Sequence, residues 1–148
     1  MQYIKKIIVA DHAGFCFGVK RAVDISLNIK KQDGGSVYTL GPLIHNDDVV
    51  NFLKAQGISQ ISIDDLCRLG EKDAVVIRSH GVTPETLKRI KRTGAQVIDA
   101  TCPYVASIQL KVKKYHAKGY QIIIVGDKNH PEVIGINGWC GNTAIVTR

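Results

Sequence analysis

The chain has 148 residues, 45% hydrophobic and 22% charged, which is typical of a soluble globular protein of one medium or two small domains. Its net charge of +7 favours an anionic substrate or an acidic protein partner, and the scarcity of aromatic residues among the basic ones argues against a nucleic-acid partner. Because no apolar run is long enough to span a bilayer and no signal peptide is evident, we expect a cytoplasmic protein with no membrane partner.

The hydrophobic pattern predicts strands that alternate with helices along the chain. A strand is predicted over residues 4–9, and apolar residues recur at helical spacing from Val19 onward. The other predicted strands are residues 36–40, 58–63, 74–78, 97–99, 121–125 and 144–147, and the other predicted helices are residues 47–56, 83–93 and 103–118, with a helical turn at 64–69. This alternation is typical of an α/β fold with a mostly parallel sheet.

Two parts of the chain repeat one pattern of strand, cysteine, helix, strand and Gly-x-x-x-His. Cys16 and His45 are 29 residues apart, and Cys102 and His130 are 28 residues apart. Each cysteine is predicted to end a strand and begin a helix, and each histidine follows a strand-ending glycine by four residues. We therefore expect two related units that bring the cysteines to one point, with histidines around them.

Cys16 and Cys102 are the candidates for thiolate chemistry, because a helix N-terminus stabilises a thiolate. The alternative is a small buried apolar side chain. A Cys₂His₂ zinc site and an iron–sulfur cluster both stay open, since two thiolates alone complete neither. Cys67 is expected to pack within a helical turn, and Cys140, in a turn-rich loop, is expected to be structural.

His45, His80 and His130 lie on loops near Gly or Pro, at the ends of predicted strands. Histidines so placed can donate hydrogen bonds to a phosphate or diphosphate, whereas the alternative for each is a solvent-exposed loop side chain. Glu132 follows His130 closely and is a candidate proton donor if its surroundings raise its pKa.

Five sequences in fixed order carry a resemblance to a known family. They are HAGFCFGVKRA at 12–22, LGPLIHN at 40–46, RSHGV at 78–82, DATCP at 99–103 and HPEV at 130–133. With them the whole chain resembles the amino-terminal half of the 4-hydroxy-3-methylbut-2-enyl diphosphate reductase family. The resemblance implies three similar α/β domains around a central cavity, of which this chain would hold the first, residues 1–98, and about half of the second, residues 99–148.

The resemblance also implies a chemistry. Cys16 and Cys102 match two of the three cysteines that hold the family's [4Fe–4S] cluster, and His45, His80 and His130 match residues that bind the substrate diphosphate. Glu132 matches the acid that supplies the proton, with His130 placed for proton relay. The implied reaction is a reductive dehydroxylation of an allylic diphosphate, the last step of non-mevalonate isoprenoid synthesis. It yields isopentenyl and dimethylallyl diphosphate, and its electrons come from ferredoxin or flavodoxin, which a basic surface suits.

The chain departs from the family pattern in one respect, since the family's third cysteine and further substrate contacts lie beyond Arg148. We therefore expect that this truncated chain alone neither holds a stable cluster nor turns over substrate, and that Cys140 does not replace the third ligand. Two other classes of function stay open, a non-catalytic diphosphate-binding fragment and a zinc-bound structural protein.

Overall fold

The computed structural model describes residues 6–11, 13–29 and 34–148. Its helices are α1 (Phe17–Asn28), α2 (Asp47–Ala55), α3 (Pro84–Arg92), α4 (Pro103–His116) and α5 (Pro131–Gly138), with a short 3₁₀ helix at Asp64–Arg68. Its strands are β1 (Val37–Leu40), β2 (Ile58–Ile61), β3 (Ala74–Ile77), β4 (Gln96–Asp99), β5 (Ile123–Val125) and β6 (Ile145–Thr147). None of the helices in these ranges is long and apolar enough to cross a membrane.

The strands form two parallel sheets, one of four strands in the order β2-β1-β3-β4 and one that pairs β5 with β6. All four residues of β3 are buried, as expected for a parallel strand that is covered on both faces. Residues of α1 and α2 pack into one apolar cluster with β1 and β3, and residues of the 3₁₀ helix and α3 join a second cluster. The predicted α/β class with mostly parallel strands is confirmed.

The repeat predicted from the cysteine and histidine spacing is present in the order of the elements from each cysteine-capped helix onward, but the strand predicted before Cys16 is not found in the described residues 6–11 and 13–16. The series α1–β1–α2–β2 is followed later by the series α4–β5–α5–β6. The backbone N–H of Gly41 donates to the carbonyl of Ile61 at 2.8 Å, and the backbone N–H of Gly126 donates to that of Thr147, also at 2.8 Å. The same hydrogen bond therefore ends the first strand of each series, directly before the loop that carries a histidine. The division into domains at residue 99 stays a prediction.

Local sequence fixes where the helices after two of these loops begin. The Asn46 side chain accepts a hydrogen bond from the Val49 N–H at 3.1 Å at the start of α2, and Thr83 does the same with Thr86 at the start of α3. Asn and Thr are both favoured at the N-cap of a helix. Pro84 suits the first turn because its missing N–H needs no partner there. The loops that carry His45 and His80 thus end at capped helices.

The strand predicted over residues 4–9 is wrong in the part that the structure describes. Residues 6–10 have no regular structure, and Ile7, Ile8 and Val9 are 79%, 76% and 75% exposed. Residues 4 and 5, and His12 of the cysteine motif, lie outside the described residues. Apolar β-branched residues favour a strand only where a neighbouring strand completes its hydrogen bonds, and no described strand pairs with this segment.

Two further expectations need correction. Helix α5 was not predicted, because its sequence PEVIGING holds two glycines, which are poor helix formers. Cys67 is exposed rather than packed, because the preceding residue, Leu66, takes the buried position in the 3₁₀ helix at 4% exposure.

Candidate functional site

Three histidines from three different loops lie side by side. The ring centroid of His80 is 5.8 Å from that of His45 and 5.6 Å from that of His130. His45 follows β1, His80 follows β3 and His130 follows β5, so the cluster forms where the ends of these strands meet. The structure thus brings together the three histidines that the sequence singled out, and their role in binding substrate stays a prediction.

Tight turns at glycines set the direction of the loops that carry His45 and His80. Gly41 and Gly81 have φ values of +72° and +70°, in the left-handed region that glycine adopts without strain. The Gly81 N–H donates to the carbonyl of Arg78 at 3.0 Å, which closes a turn around Ser79 and His80. The chain therefore reverses directly after β3 and leaves His80 at the end of the sheet.

His130 is the N-cap of α5, and its hydrogen bond fixes its tautomer. Its Nδ1 accepts the backbone N–H of Glu132 at 3.2 Å, so the neutral ring carries its proton on Nε2. The Nε2–H is then free to donate to a ligand. Glu132 lies in the first turn of α5 and is partly buried, where the helix N-terminus favours a negative charge.

His80 has the most strongly altered proton affinity in the cluster. Burial, followed by the charges of Arg78, His130 and His45, lowers the pKa of His80 from 6.5 to about 4. At neutral pH the His80 ring is therefore uncharged. Its Nδ1 is buried and finds no hydrogen-bond partner among the described residues.

Arg78 is a residue of this region that the sequence analysis did not single out as functional. It directly follows the fully buried strand β3, and burial lowers the pKa of its guanidinium. It lines a cleft of about 160 Å³ together with residues of all three histidine-bearing segments, which include Gly41, Gly81 and Pro131. The sequence signal that could have identified Arg78 is its position directly after the four apolar residues 74–77.

Both candidate cysteines are N-caps of helices, Cys16 of α1 and Cys102 of α4. Cys102 lies against the first turn of α1, since a Cβ added to Gly18 would be 2.8 Å from the Cys102 Sγ. The Cys102 N–H donates to the Ser79 carbonyl at 2.9 Å, and Arg21 Nη1 donates to the Thr101 carbonyl at 3.2 Å. These contacts hold Cys102 between the helix that Cys16 caps and the loop that carries His80.

The donor chemistry of the two cysteines suits an iron–sulfur cluster, but their number does not complete one. Cys16 is exposed and Cys102 is partly buried, and thiolates at helix N-termini are the ligands that such clusters take. Within residues 6–11, 13–29 and 34–148, no three His, Cys, Asp or Glu side chains group closely enough to hold a metal ion.

Cys140 is fully buried and its thiol donates to the Asn137 carbonyl at 3.2 Å. It therefore belongs to the packing at the end of α5, as expected of a structural cysteine.

Comparison with known proteins gives one family. The LytB protein family matches residues 7–148. The 4-hydroxy-3-methylbut-2-enyl diphosphate reductase of Clostridium perfringens (strain 13) is 57% identical over 143 residues, which are 97% of this chain and 51% of that protein. The reductase of the same name from Clostridium tetani is also 57% identical over 143 residues, 96% of this chain but 22% of that longer protein.

Solved structures agree with these sequence relatives. The structure of (E)-4-hydroxy-3-methyl-but-2-enyl diphosphate reductase, the terminal enzyme of the non-mevalonate pathway, superposes with a TM-score of 0.82 at 47% identity. The match covers 96% of this chain and 50% of that one. The chain thus spans about half the length, or less, of the relatives it matches.

Proposed function

Because this chain belongs to the LytB protein family, we propose that it supplies the substrate-binding histidines, the acid and two cluster cysteines of a 4-hydroxy-3-methylbut-2-enyl diphosphate reductase. The proposal depends on the cluster of His45, His80 and His130, whose outer rings lie 5.8 and 5.6 Å from the central one. The proposed reaction removes the substrate hydroxyl with two electrons and yields isopentenyl and dimethylallyl diphosphate.

The histidine cluster is suited to the diphosphate end of this substrate. The Nε2–H of His130 points away from its helix-capping bond, and the uncharged His80 ring keeps one N–H donor. Neighbouring rings at this spacing can donate to different oxygens of one diphosphate. His45, which is exposed, completes the set, with its ring centroid 5.8 Å from that of His80.

Glu132 is proposed to give a proton to the allylic carbon skeleton once the hydroxyl has left. Because an acid that gives up a proton in each turnover must regain one, a proton relay to Glu132 is required. His130 is assigned to that relay, because its ring is already hydrogen-bonded to the Glu132 backbone at 3.2 Å.

We assign Cys16 and Cys102 as two ligands of a [4Fe–4S] cluster. When bound, such a cluster would pass the electrons of the reduction, one at a time, from the carrier protein to the substrate. Two of the four free cysteines are assigned here, where the family cluster takes three, so the proposal requires a third ligand in addition to Cys16 and Cys102. Each assigned thiolate would be stabilised by the helix that it caps.

The proposed electron donor is a small acidic carrier, ferredoxin or flavodoxin. The basic residues of α3 and α4 are exposed and the net charge is +7, which favours fast association with an acidic protein. The four cysteines are unpaired in the structure, in keeping with the proposed reducing, cytoplasmic location.

Calorimetric titration with 4-hydroxy-3-methylbut-2-enyl diphosphate tests this proposal. We expect saturable binding to the chain, weakened at least about tenfold by His80→Asn because a charge-assisted hydrogen bond is lost. His116→Asn is the matched control, since His116 ends α4 outside the cluster. Absence of binding, or equal affinity of the His80→Asn variant and the unaltered chain, would contradict the proposal.

A further inference from the structure

We propose that Arg78 supplies the fixed positive charge with which the histidine cluster holds a diphosphate. The inference deepens the proposed function and rests on it. Arg78 would act as an anion-binding residue in addition to the three histidines, and it would select a multiply charged phosphate over an uncharged alcohol.

The position of Arg78 places its charge among all three histidine-bearing segments. Its Nη1 lies against Gly41, where an added Cβ would be 3.0 Å away, and Gly41 leads into the loop of His45. The cleft that Arg78 lines is also bordered by Gly81 and Pro131, which directly follow His80 and His130. The guanidinium is therefore held where the three segments come together.

The charge of Arg78 has no counter-charge within the described part of the chain. The ion pairs found there join Lys20 to Asp24 and Arg68 to Asp65, and neither involves Arg78. No aspartate or glutamate is among the residues that line the cleft, and Arg78 Nε is buried without a hydrogen-bond partner. Because a guanidinium removed from water needs a partner, this arrangement leaves Arg78 available to an incoming anion.

The central histidine does not provide that charge at neutral pH. His80 is uncharged there because burial, followed by the charges of Arg78, His130 and His45, lowers its pKa to about 4. A neutral ring donates a hydrogen bond but adds no net charge. Arginine stays protonated across the physiological range and offers five N–H donors, so Arg78 fills the missing role.

The competing explanation is that Arg78 only packs over Gly41 and shapes the turn. Such a role would depend on the size of the side chain and not on the charge of the ligand. Substitution by Gln removes the charge and keeps polarity, whereas substitution by Lys keeps the charge. The two variants therefore separate anion binding from packing.

The experiment is a calorimetric titration of the full chain with inorganic diphosphate at low and high salt. We expect Arg78→Gln to weaken binding at least about tenfold and to flatten its salt dependence, because one charged contact is lost. Arg78→Lys should keep most of the affinity. Arg92→Gln, which removes an exposed charge from the end of α3, should bind like the unaltered chain, and circular dichroism should show that each variant is folded.

Several results would overturn the inference. If Arg78→Gln binds diphosphate as the unaltered chain does, the inference fails and the proposed function stands. If the unaltered chain does not bind diphosphate, both fail. If the Gln and Lys variants lose binding equally, Arg78 has a packing role only.

A measurement on the unaltered chain covers the case in which the variants do not fold. The Arg78 Nε–H resonance should shift on addition of inorganic diphosphate, and a resonance that does not move would contradict the inference.

Discussion

The ring of His80 lies beside the rings of His45 and His130, and the charge of Arg78 acts on it. Its environment favours the neutral ring through burial first and through the charges of Arg78, His130 and His45 second, which lowers its pKa to about 4. A ligand that brings negative charge into the cluster would act in the opposite direction and raise the pKa of His80. Protonation of the cluster and binding of an anion are therefore coupled.

The lowered pKa of His80 predicts a pH-dependent stability. In the unfolded chain histidine titrates near 6.5, so between about pH 6.5 and pH 4 the unfolded state binds more protons than the folded state. The stabilisation is present above pH 6.5 and is lost as the pH falls through this range. Urea unfolding at stepped pH should show this decrease, and His80→Gln should remove part of it.

His116→Gln is the matched control for that measurement, since it leaves the same number of histidines and alters a residue at the end of α4, outside the histidine cluster. It should keep the full decrease. If His80→Gln and the unaltered chain lose stability equally between pH 6.5 and pH 4, the neutral state of His80 is wrong.

At the scale of elements, the packing of α5 positions His130 beside His80. The helix lies against residues 80–83, where Trp139 Nε1 donates to the Val82 carbonyl at 3.1 Å. Gly138 sits so close to Thr83 that an added Cβ would be 2.5 Å from the threonine Cβ and Cγ2. Gly135, one turn earlier, would place a Cβ no nearer than 3.4 Å to any atom, which is ordinary van der Waals contact.

These two glycines give a matched pair of substitutions in one helix. Gly138→Ala should lower the free energy of unfolding by about 1–3 kcal/mol, because α5 must move off Thr83 to admit the methyl group. Gly135→Ala should be neutral or stabilising by up to about 1 kcal/mol, because alanine is the better helix former. Urea unfolding measures both, and equal effects of the two substitutions would show that α5 does not approach Thr83 so closely.

At the scale of the whole molecule, the candidate site lies where two repeats of one arrangement meet. Each repeat offers a cysteine at the start of its first helix and a histidine after its first strand. Hydrogen bonds in the same region join the first repeat and the segment after β3 to the start of the second repeat, from Arg21 to Thr101 and from Cys102 to Ser79. The proposed cluster ligands and substrate ligands are therefore held by the same interface.

The two-cysteine donor set predicts how the chain responds to iron. After anaerobic reconstitution with iron and sulfide, we expect little iron to remain on the chain, because two thiolates leave half of the irons of a [4Fe–4S] cluster without a protein ligand. Iron analysis and the visible spectrum measure this. A full cluster that is lost on Cys16→Ser would contradict the expectation and would call for a substitute ligand, and Cys140→Ser would then test whether Cys140 is that ligand.

The sequence by itself determined the class of fold, the repeat and the identity of the chemical groups. Its N-caps and glycines act within a few residues, so the starts of α2 and α3 and the loops of His45 and His130 could be predicted from local pattern. The regular Cys and His spacing also predicted that these side chains would converge. His45 and His130 both lie beside His80, whereas the convergence of Cys16 and Cys102 stays a prediction.

Only the tertiary structure decided the features that depend on contacts between distant segments. Residues 6–9 have the composition of a strand but no described neighbour to pair with, and α5 is a helix in spite of two glycines because the glycines permit close packing on residues 80–83. The surroundings of Arg78 likewise come from three loops that are far apart in sequence. Hydrogen bonding between strands, close packing and electrostatic fields act through space, and a local pattern does not contain those distances.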